Sequence, residues 1–466
     1  MTMRKKRQDF DFGGKSVSRR TFLGASATAA AGLMVVPRHV VGAVGQKKAP
    51  SDTLNIACIG VGGMGFSDTR GVATENVVAL CDVDDEQMAR LLKSERIEPP
   101  QREMFEKASK YNDFRRLFDK EKGIDAVTVT VPDHNHAVIA MAAIKLGKHV
   151  YVQKPLTRTI KEARTLAKAA KEAKVVSQMG NQGHAGEGAR LICEWIWDGA
   201  IGDVFEVHCW TNRPIWAQGI DAPTEIPSVP STLNWDVWLG PAPFRPYHPA
   251  YHPFSWRGLW DFGTGALGDM GAHIMDQPFW ALKLGHPATV QASSTRFTKD
   301  YYPQAEVVTY EFPARGEMGP VKLMWWDGGL TPPRPAELEP GRMMGDEGGG
   351  VLFRGDKGLL MCSVYGENPR LIPETRMQEY KRPEKTIPRS PGIREEWIEA
   401  IKKGTKSGTD FSYSGPLTEV MLLANVAVQA KDKNMKLQWD GEKMEFTNLP
   451  EANQYLHYEY RPGWSL

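Results

Sequence analysis

Cysteine is scarce in this chain: five residues in 466, at positions 58, 81, 193, 209 and 362, with no C-x-x-C pair. That argues against a zinc knuckle and a disulfide-stapled scaffold. Net charge is nearly absent, since 58 Lys and Arg against 56 Asp and Glu leave only +2. Such a balance supplies no global field for nucleic acid. No apolar run is long enough and apolar enough for a stable membrane span, which needs ~20 residues. No internal repeat is found, and no low-complexity tract outside the leader. What remains is 41% hydrophobic and 24% charged residues, enough for packed cores. The length fits two or three domains of roughly 100–200 residues each.

The charge that exists is uneven. Residues 1–43 carry eight basic and two acidic side chains, leaving the rest at about −4. A basic stretch (Arg4, Lys5, Lys6, Arg7) precedes Ser18-Arg19-Arg20-Thr21-Phe22-Leu23, then a mild Ala/Gly-rich run to Val36, then Val41-Gly42-Ala43. This is similar to a twin-arginine export signal with a small-residue cleavage site, and the run is short for an anchor. Export of a folded chain to the periplasm or beyond predicts no structural disulfides. It also favours a tightly held cofactor, because nucleotides are not resupplied there.

After a polar linker the pattern alternates strand and helix. Apolar runs at Leu54–Ile59, Val77–Cys81, Ala126–Val131, His149–Val152 and Val175–Gln178 are separated by helical stretches such as Ala137–Leu146 and Ile160–Lys171. This is the βαβ signature of an open parallel sheet. The first strand runs into Gly60-Val61-Gly62-Gly63-Met64-Gly65, a G-x-G-x-x-G that opens a helix, and Asp82 closes the next strand. That context makes the motif a dinucleotide-binding fingerprint. Gly60 permits the turn, and Gly62 lets backbone approach a pyrophosphate. Gly65 permits close helix packing, and Gly63 and Met64 lie at the helix N-terminus that receives the phosphates. Asp82 is suited to ribose hydroxyls and repels a 2′-phosphate. No Lys or Arg follows it immediately, so NAD is expected rather than NADP. Pro132, His136, Gln153 and Lys154 sit in two segments at strand ends, where such sheets bind ligands, and complete the expected cofactor contacts.

The second half begins with a predicted helix at Gly188–Trp197 and a strand at Val204–Trp210. An aperiodic, aromatic stretch follows, from about Asn212 to Phe262. Seven of the 14 tryptophans (210, 216, 235, 238, 256, 260, 280) fall between 210 and 280. Flat aromatic faces suit sugar rings, but a Trp-rich core or subunit interface reads equally well. His184, Arg213 and Trp256 are the expected substrate contacts, together with Asp269 and His273. The last two lie four apart on a predicted helix and so share one face. Such a pair can be a base with its partner, half of a metal site, or a plain surface pair. Strands are expected at Ala288–Ser293, Ala305–Phe312, Val321–Trp326, Val351–Arg354 and Leu359–Ser363, with closing helices at Ile393–Lys402 and Pro416–Ala430.

Taken in order, Gly60–Gly65, Thr130–His136, the Gly147-to-Pro155 run G-K-H-V-Y-V-Q-K-P, Gly268–His273 and Glu396–Ile401 resemble the Gfo/Idh/MocA family over about Leu54 to Ala430. That family is named for glucose–fructose oxidoreductase and inositol dehydrogenase. The resemblance implies an N-terminal Rossmann domain with a doubly wound parallel sheet. An α+β domain with a large, mostly antiparallel sheet follows, one face of which serves a homo-oligomer (dimer or tetramer). It implies oxidation of a sugar or cyclitol hydroxyl. Lys154 would bind the reacting oxygen, His273 would take its proton, and Asp269 would orient substrate or tune both. Gln153 departs from the family's usual Glu-Lys-Pro and removes a negative charge beside the lysine.

The expected organisation is therefore an export signal over 1–43, a linker over 44–53, an NAD-binding domain over 54–178, a substrate domain over 179–450 and a tail over 451–466. Three functions stay open: a sugar or cyclitol dehydrogenase, or an oxidoreductase that recycles its bound nucleotide between two sugars; a glycoside-cleaving enzyme that oxidises, eliminates, hydrates and reduces; and a non-catalytic sugar-binding protein on the same fold. A metal site drawn from Asp133, His134, His136, Asp269 and His273 is a minor alternative, and no metal is expected.

Overall fold

The computed structural model of the protein describes residues 52–430 and 435–466. The expected export signal and nearly all of the linker lie outside them. Strands β1 (Asn55–Ile59), β2 (Asn76–Cys81), β3 (Ser109–Tyr111), β4 (Ala126–Val129), β5 (His149–Val152) and β6 (Ser177–Met179) form a parallel sheet of order β3-β2-β1-β4-β5-β6. The sheet is doubly wound, with helices on both faces. Its central strands are therefore almost wholly buried and read as continuous apolar runs. The chain order reverses between β1 and β4, and a crevice opens there at the strands' C-terminal ends.

The helices that shape the site are α1 (Met64–Gly71), α2 (Asp133–Lys145), α3 (Ile160–Ala173), α4 (Glu187–Trp197), α5 (Gly265–Ile274), α6 (Ile393–Lys403) and α7 (Phe411–Gln429). Helix α3 begins at a capping box: Thr159 Oγ1 accepts from the Glu162 N–H, and Glu162 accepts from the Thr159 N–H. Helix α7 starts five residues before the expected Pro416. Asp410 caps it by accepting from the Ser412 N–H at 2.8 Å, and Pro416 sits inside the helix, one intrahelical bond lost.

The second sheet has nine strands: β7 (Val204–Thr211), β8 (Thr289–Ser294), β9 (Glu306–Phe312), β10 (Val321–Trp326), β11 (Gly349–Gly355), β12 (Gly358–Cys362), β13 (Arg370–Ile372), β14 (Leu437–Asp440) and β15 (Glu445–Phe446). Their order is β13-β12-β11-β7-β10-β9-β8-β14-β15. All pairs are antiparallel except β7 with β10. β9 alternates buried and half-buried residues along its length, and on the same sheet α5 packs against β7 and α7 against β8, so one face is covered and the other is partly open. The two sheets share one continuous core, because α7 packs against both α3 and β8. The tail packs as well: Tyr460 donates to Glu162 at 2.6 Å, and Arg461 pairs with Asp236. All five cysteines are buried free thiols. Among the described residues no helix is long and apolar enough to cross a membrane.

The aromatic stretch resolves into a satellite core. Trp235 stacks on Trp238 with centroids 4.5 Å apart, and Trp238 packs edge-on against Phe262 and beside His134. Trp210, Trp216, Trp235, Trp238 and Trp256 are all at most 7% exposed. For these residues the packing alternative holds, and the stretch is not an open stacking platform. It crosses to the first domain through an antiparallel bridge between Asp84 and Leu233, the Asn234 N–H to the Val83 carbonyl at 2.8 Å, and a His252–Asp84 pair at 3.2 Å.

Candidate active site

The crevice has a volume of about 380 Å³ and runs from the glycine loop to Lys154 and Asp269. Gly60 has φ +80°, and a Cβ there would fall 2.0 Å from the Thr130 carbonyl oxygen. Only glycine lets the loop pass β4 so closely. Gly65 likewise abuts the Gly60 carbonyl, which brings α1 onto β1. Gly63 differs: with φ +52°, a Cβ would meet nothing within 4 Å, and at Gly62 the nearest atoms it would meet belong to the Gln87 side chain. The chain's own atoms therefore leave the space over the helix N-terminus free. No side chain caps α1 and no acidic residue lies in its first turn. The Gly63 and Met64 N–H groups, a positive dipole end and that open space fit a dinucleotide pyrophosphate.

Asp82 stands at the other end of the glycine loop. Its Oδ2 accepts from the Val61 and Gly62 N–H groups at 2.8 and 3.3 Å, and its Oδ1 from the Asp84 N–H at 3.0 Å. About one of the roughly four acceptor positions of a carboxylate is left for a ribose hydroxyl. Burial pushes Asp82 up to about 6 against these three hydrogen bonds. Arg90 also lines the crevice, but it pairs with Glu86 at 3.0 Å. Pro132, Gln153 and Met64 line the crevice; His136 does not. The His136 ring lies behind the wall, with its nitrogens 2.8 Å from the Pro155 and Val131 carbonyls. Burial pushes it down to about 4, so the neutral ring donates to one carbonyl at a time and ties the two strand-end segments together.

At the far end Lys154 Nζ donates to Asp269 Oδ1 and to the Asp269 carbonyl oxygen, each at 2.9 Å. Arg257 Nε reaches the same Oδ1 at 3.3 Å. Burial pushes Asp269 up, but Lys154, Arg257 and His273 outweigh it and hold the carboxyl down to about 2. His273 lies one turn further along α5, is 3% exposed, and stands outside the crevice lining. Its Nδ1 has no hydrogen-bond partner, and its ring meets Tyr365 edge-on at 4.7 Å. Burial, then Lys154, push it down to about 3 against the pull of Asp269. The imidazole is therefore neutral at pH 7, with a free nitrogen. Asp133 closes the group. Thr264 Oγ1 donates to its Oδ2 at 2.7 Å, and burial, with the nearby Asp269 charge, pushes it up to about 7.

The expected substrate contacts separate. Trp256 lines the crevice, with the Arg257 guanidinium 4.4 Å over its ring. Arg213 is half-buried outside the lining, and its charge acts on Tyr365. His184 is 3% exposed; it stacks on Trp280 at 4.0 Å and shares Asp276 with Tyr413, away from the crevice. Among the described residues no three His, Cys, Asp or Glu side chains converge on a metal position, so Asp133, His134, His136, Asp269 and His273 do not form one. Arg257 and Tyr365 were not legible in sequence. Arg257 sits in the aperiodic aromatic stretch, and Tyr365 in the loop after β12. Asp133 was visible only as part of a metal alternative.

Comparison with known proteins bears on the family and the fold. Residues 54–181 match the family described as oxidoreductases with an NAD-binding Rossmann fold (GFO_IDH_MocA), and 206–313 match its C-terminal α/β domain. The chain is 28% identical over 165 residues to levoglucosan dehydrogenase of Pseudarthrobacter phenanthrenivorans, covering 35% of this chain and 34% of that protein. It is 25% identical over 253 residues to the NADP+-dependent scyllo-inositol 2-dehydrogenase IolW of Bacillus subtilis, covering 54% and 59%. The chain thus spans between a third and three fifths of these relatives' lengths. Among solved structures, the WlbA dehydrogenase from Bordetella pertussis in complex with NADH and UDP-GlcNAcA has a TM-score of 0.56 at 16% identity, covering 83% of this chain and 99% of that one. Levoglucosan dehydrogenase with NADH and levoglucosan has 0.54 at 17%, covering 81% and 98%. At such identities the likeness is one of fold.

Proposed function

Because this chain belongs to the Gfo/Idh/MocA oxidoreductase family, whose two domain models together match just over half of it, we propose that it oxidises a hydroxyl of a sugar, glycoside or cyclitol with NAD. The observation that carries the reading is the Lys154–Asp269 pair, at 2.9 Å, in the same crevice as the glycine loop. When bound, NAD supplies a two-electron acceptor for the carbinol carbon. Gly63 and the α1 N-terminus would hold its phosphates, Gly62 would let the backbone approach them, and Asp82 would hold its ribose. An ammonium has three donors. Two on Lys154 go to Asp269, which leaves one for the reacting oxygen, where it stabilises developing negative charge. His273, neutral and one turn along α5 from Asp269, is the base for the hydroxyl proton. Asp269 keeps Lys154 and Arg257 fixed, and Trp256 gives the substrate end an apolar wall.

The twin-arginine leader and the strap of residues 231–262 support two further parts of the proposal. The chain acts in the periplasm or outside the cell, and it keeps its nucleotide across turnovers. The strap bridges to Asp84 and contributes His252, Phe254 and Trp256 to the crevice wall, which enclose a bound nucleotide. The open face of the second sheet supports homo-oligomer formation. One observation favours glycoside cleavage as a second reading: Asp133, beside Asp269 and bonded to Thr264, is a further group at the site, and it exchanges a proton near neutral pH. Elimination beside a ring ketone needs one group to take the carbon-bound proton and another to protonate the departing oxygen. Denaturing the purified mature protein and assaying the supernatant tests retention, and stoichiometric NAD is expected. A panel of sugars, cyclitols and glycosides then separates the chemistries. Accumulating NADH marks net oxidation, and aglycone release without NADH marks cleavage. Turnover of neither kind on any member of the panel, with Lys154 and His273 dispensable for binding, returns the non-catalytic alternative.

A further inference from the structure

Gln153 precedes Lys154, and its side-chain amide does not face the crevice alone. Its Nε2 donates at 2.9 Å to Oδ2 of Asp68, a carboxylate on α1 that is 0% exposed. Thr130 Oγ1, from the crevice wall, donates to the same oxygen at 2.8 Å. Arg394, at the start of α6, closes the other side, with Nε 2.8 Å and Nη2 2.6 Å from Oδ1. The remaining end of the amide is used too: Gln153 Oε1 accepts from the Lys154 backbone N–H at 3.2 Å. Gly180 makes room for this arrangement, since a Cβ there would fall 2.7 Å from Gln153 Nε2 and from the Tyr151 hydroxyl.

We propose that Asp68 is the positioning residue of Lys154, acting through Gln153, and that residue 153 is an amide because Asp68 already holds the buried negative charge. The proposal rests on the reading of Lys154 as the residue that binds the reacting oxygen. Asp68 is acceptor-only when ionised, so the group facing it at 2.9 Å must donate. A carboxylate at 153 would put two like charges at that distance, and both cannot stay ionised. Removing the Asp68 charge instead strands the Arg394 guanidinium, 18% exposed, without its ion-pair partner. The network spans α1, the Thr130 wall, the Gln153–Lys154 segment and α6. It therefore sets the lysine's place relative to the same helix whose N-terminus receives the phosphates. It also keeps the compensating carboxylate on the far side of Gln153, so that Asp269 is the carboxylate bonded to the lysine amine.

The test is a charge exchange in the full-length protein: wild type, Asp68→Asn, Gln153→Glu and the double variant. Each single substitution is expected to lower the rate of sugar-dependent NAD reduction roughly 10- to 100-fold, mainly in kcat, and to lower the melting temperature. The double variant restores one donor facing one carboxylate, with the cluster charge unchanged, and is expected to recover to within about fivefold of wild type. Gln153→Glu alone is expected to gain activity as pH falls, because one proton shared with Asp68 relieves the repulsion; wild type and the double variant lack that gain. The other groups facing Asp68 are Cys58 on β1, Tyr151 on β5 and Arg394 on α6, and Glu395 acts on Tyr151 and Arg394. Burial pushes Cys58 up to about 11 and Tyr151 well up, so neither titrates in this range. Full activity of Gln153→Glu, or a double variant no better than the worse single, overturns the proposal. Melting temperature and NAD binding are read on all four proteins without any sugar. If the double variant recovers both while wild type fails to reduce NAD with every sugar tested, the network stands and the functional reading fails.

Discussion

Replacing Asp269 by Asn probes the charge balance at the reaction centre. The carboxylate is shared by Lys154 at 2.9 Å and Arg257 at 3.3 Å. At an effective dielectric of about 20, attractions at these distances are about 6 and about 5 kcal/mol. Most of that is offset by burying the carboxylate, whose side chain is 14% exposed. The net is read from the fall of its pKa from 3.8 to about 2, which corresponds to roughly 2 kcal/mol in favour of the ionised folded form. A folded pKa below the unfolded one means that this contribution is complete above about pH 4 and is lost as pH falls through 2. Asparagine removes it and also leaves two partly buried cations side by side, so the expected loss at pH 7 is about 2–4 kcal/mol. Urea denaturation of both proteins at pH 7 and near pH 3 measures it. The gap should shrink by about half at the lower pH. A gap at pH 7 under about 0.5 kcal/mol, or one that widens on acidification, would refute the reasoning.

Other substitutions separate the roles within the crevice. Lys154→Ala and His273→Ala should each lower turnover at least ~100-fold while leaving the fold intact; unchanged turnover in both removes the proposed mechanism. Asp82→Ala should weaken NAD binding about 10-fold or more, since the ribose acceptor and the anchor of the Val61 and Gly62 N–H groups go together. Equal affinity in an equilibrium titration would mean that the ribose is held elsewhere. His273 should show no protonation by NMR between about pH 5 and 8. Its folded pKa of about 3 lies below the ordinary 6.5, so its contribution to stability is present above 6.5 and is lost as pH falls towards 3. A midpoint near 6 would contradict the burial of its ring.

The parallel sheet was legible because buried strands read as apolar runs and because Gly60–Gly65 and Asp82 fall where a βαβ unit needs them. Lys154 and Asp269 were legible from order and spacing, one after a strand end and the other near the start of a helix. What could not be read was placement by long-range contact. Arg257 belongs to the site only because the stretch around it folds back over Asp269, and Tyr365 only because a strand-end loop brings it to His273. The tryptophan cluster carried two meanings in sequence, and packing decides between them. Trp235 and Trp238 stack within a core, and Trp238 and Trp256 each border both that core and the crevice lining. The glutamine before Lys154 was visible as a departure, but its partner lies 85 residues away. His184 illustrates the opposite error: a polar residue at a chemically suggestive position is absorbed by Asp276, Trp280 and Tyr413.

The central claim is direct transfer from a carbinol carbon to the nucleotide in this crevice, with Lys154 on the oxygen. A single turnover with a sugar deuterated at the carbon it loses hydrogen from, followed by mass measurement of the released nucleotide, tests it. The account predicts one deuterium in the nucleotide from wild type and none above background from Lys154→Ala. Deuterium found in solvent and not in the nucleotide would contradict it.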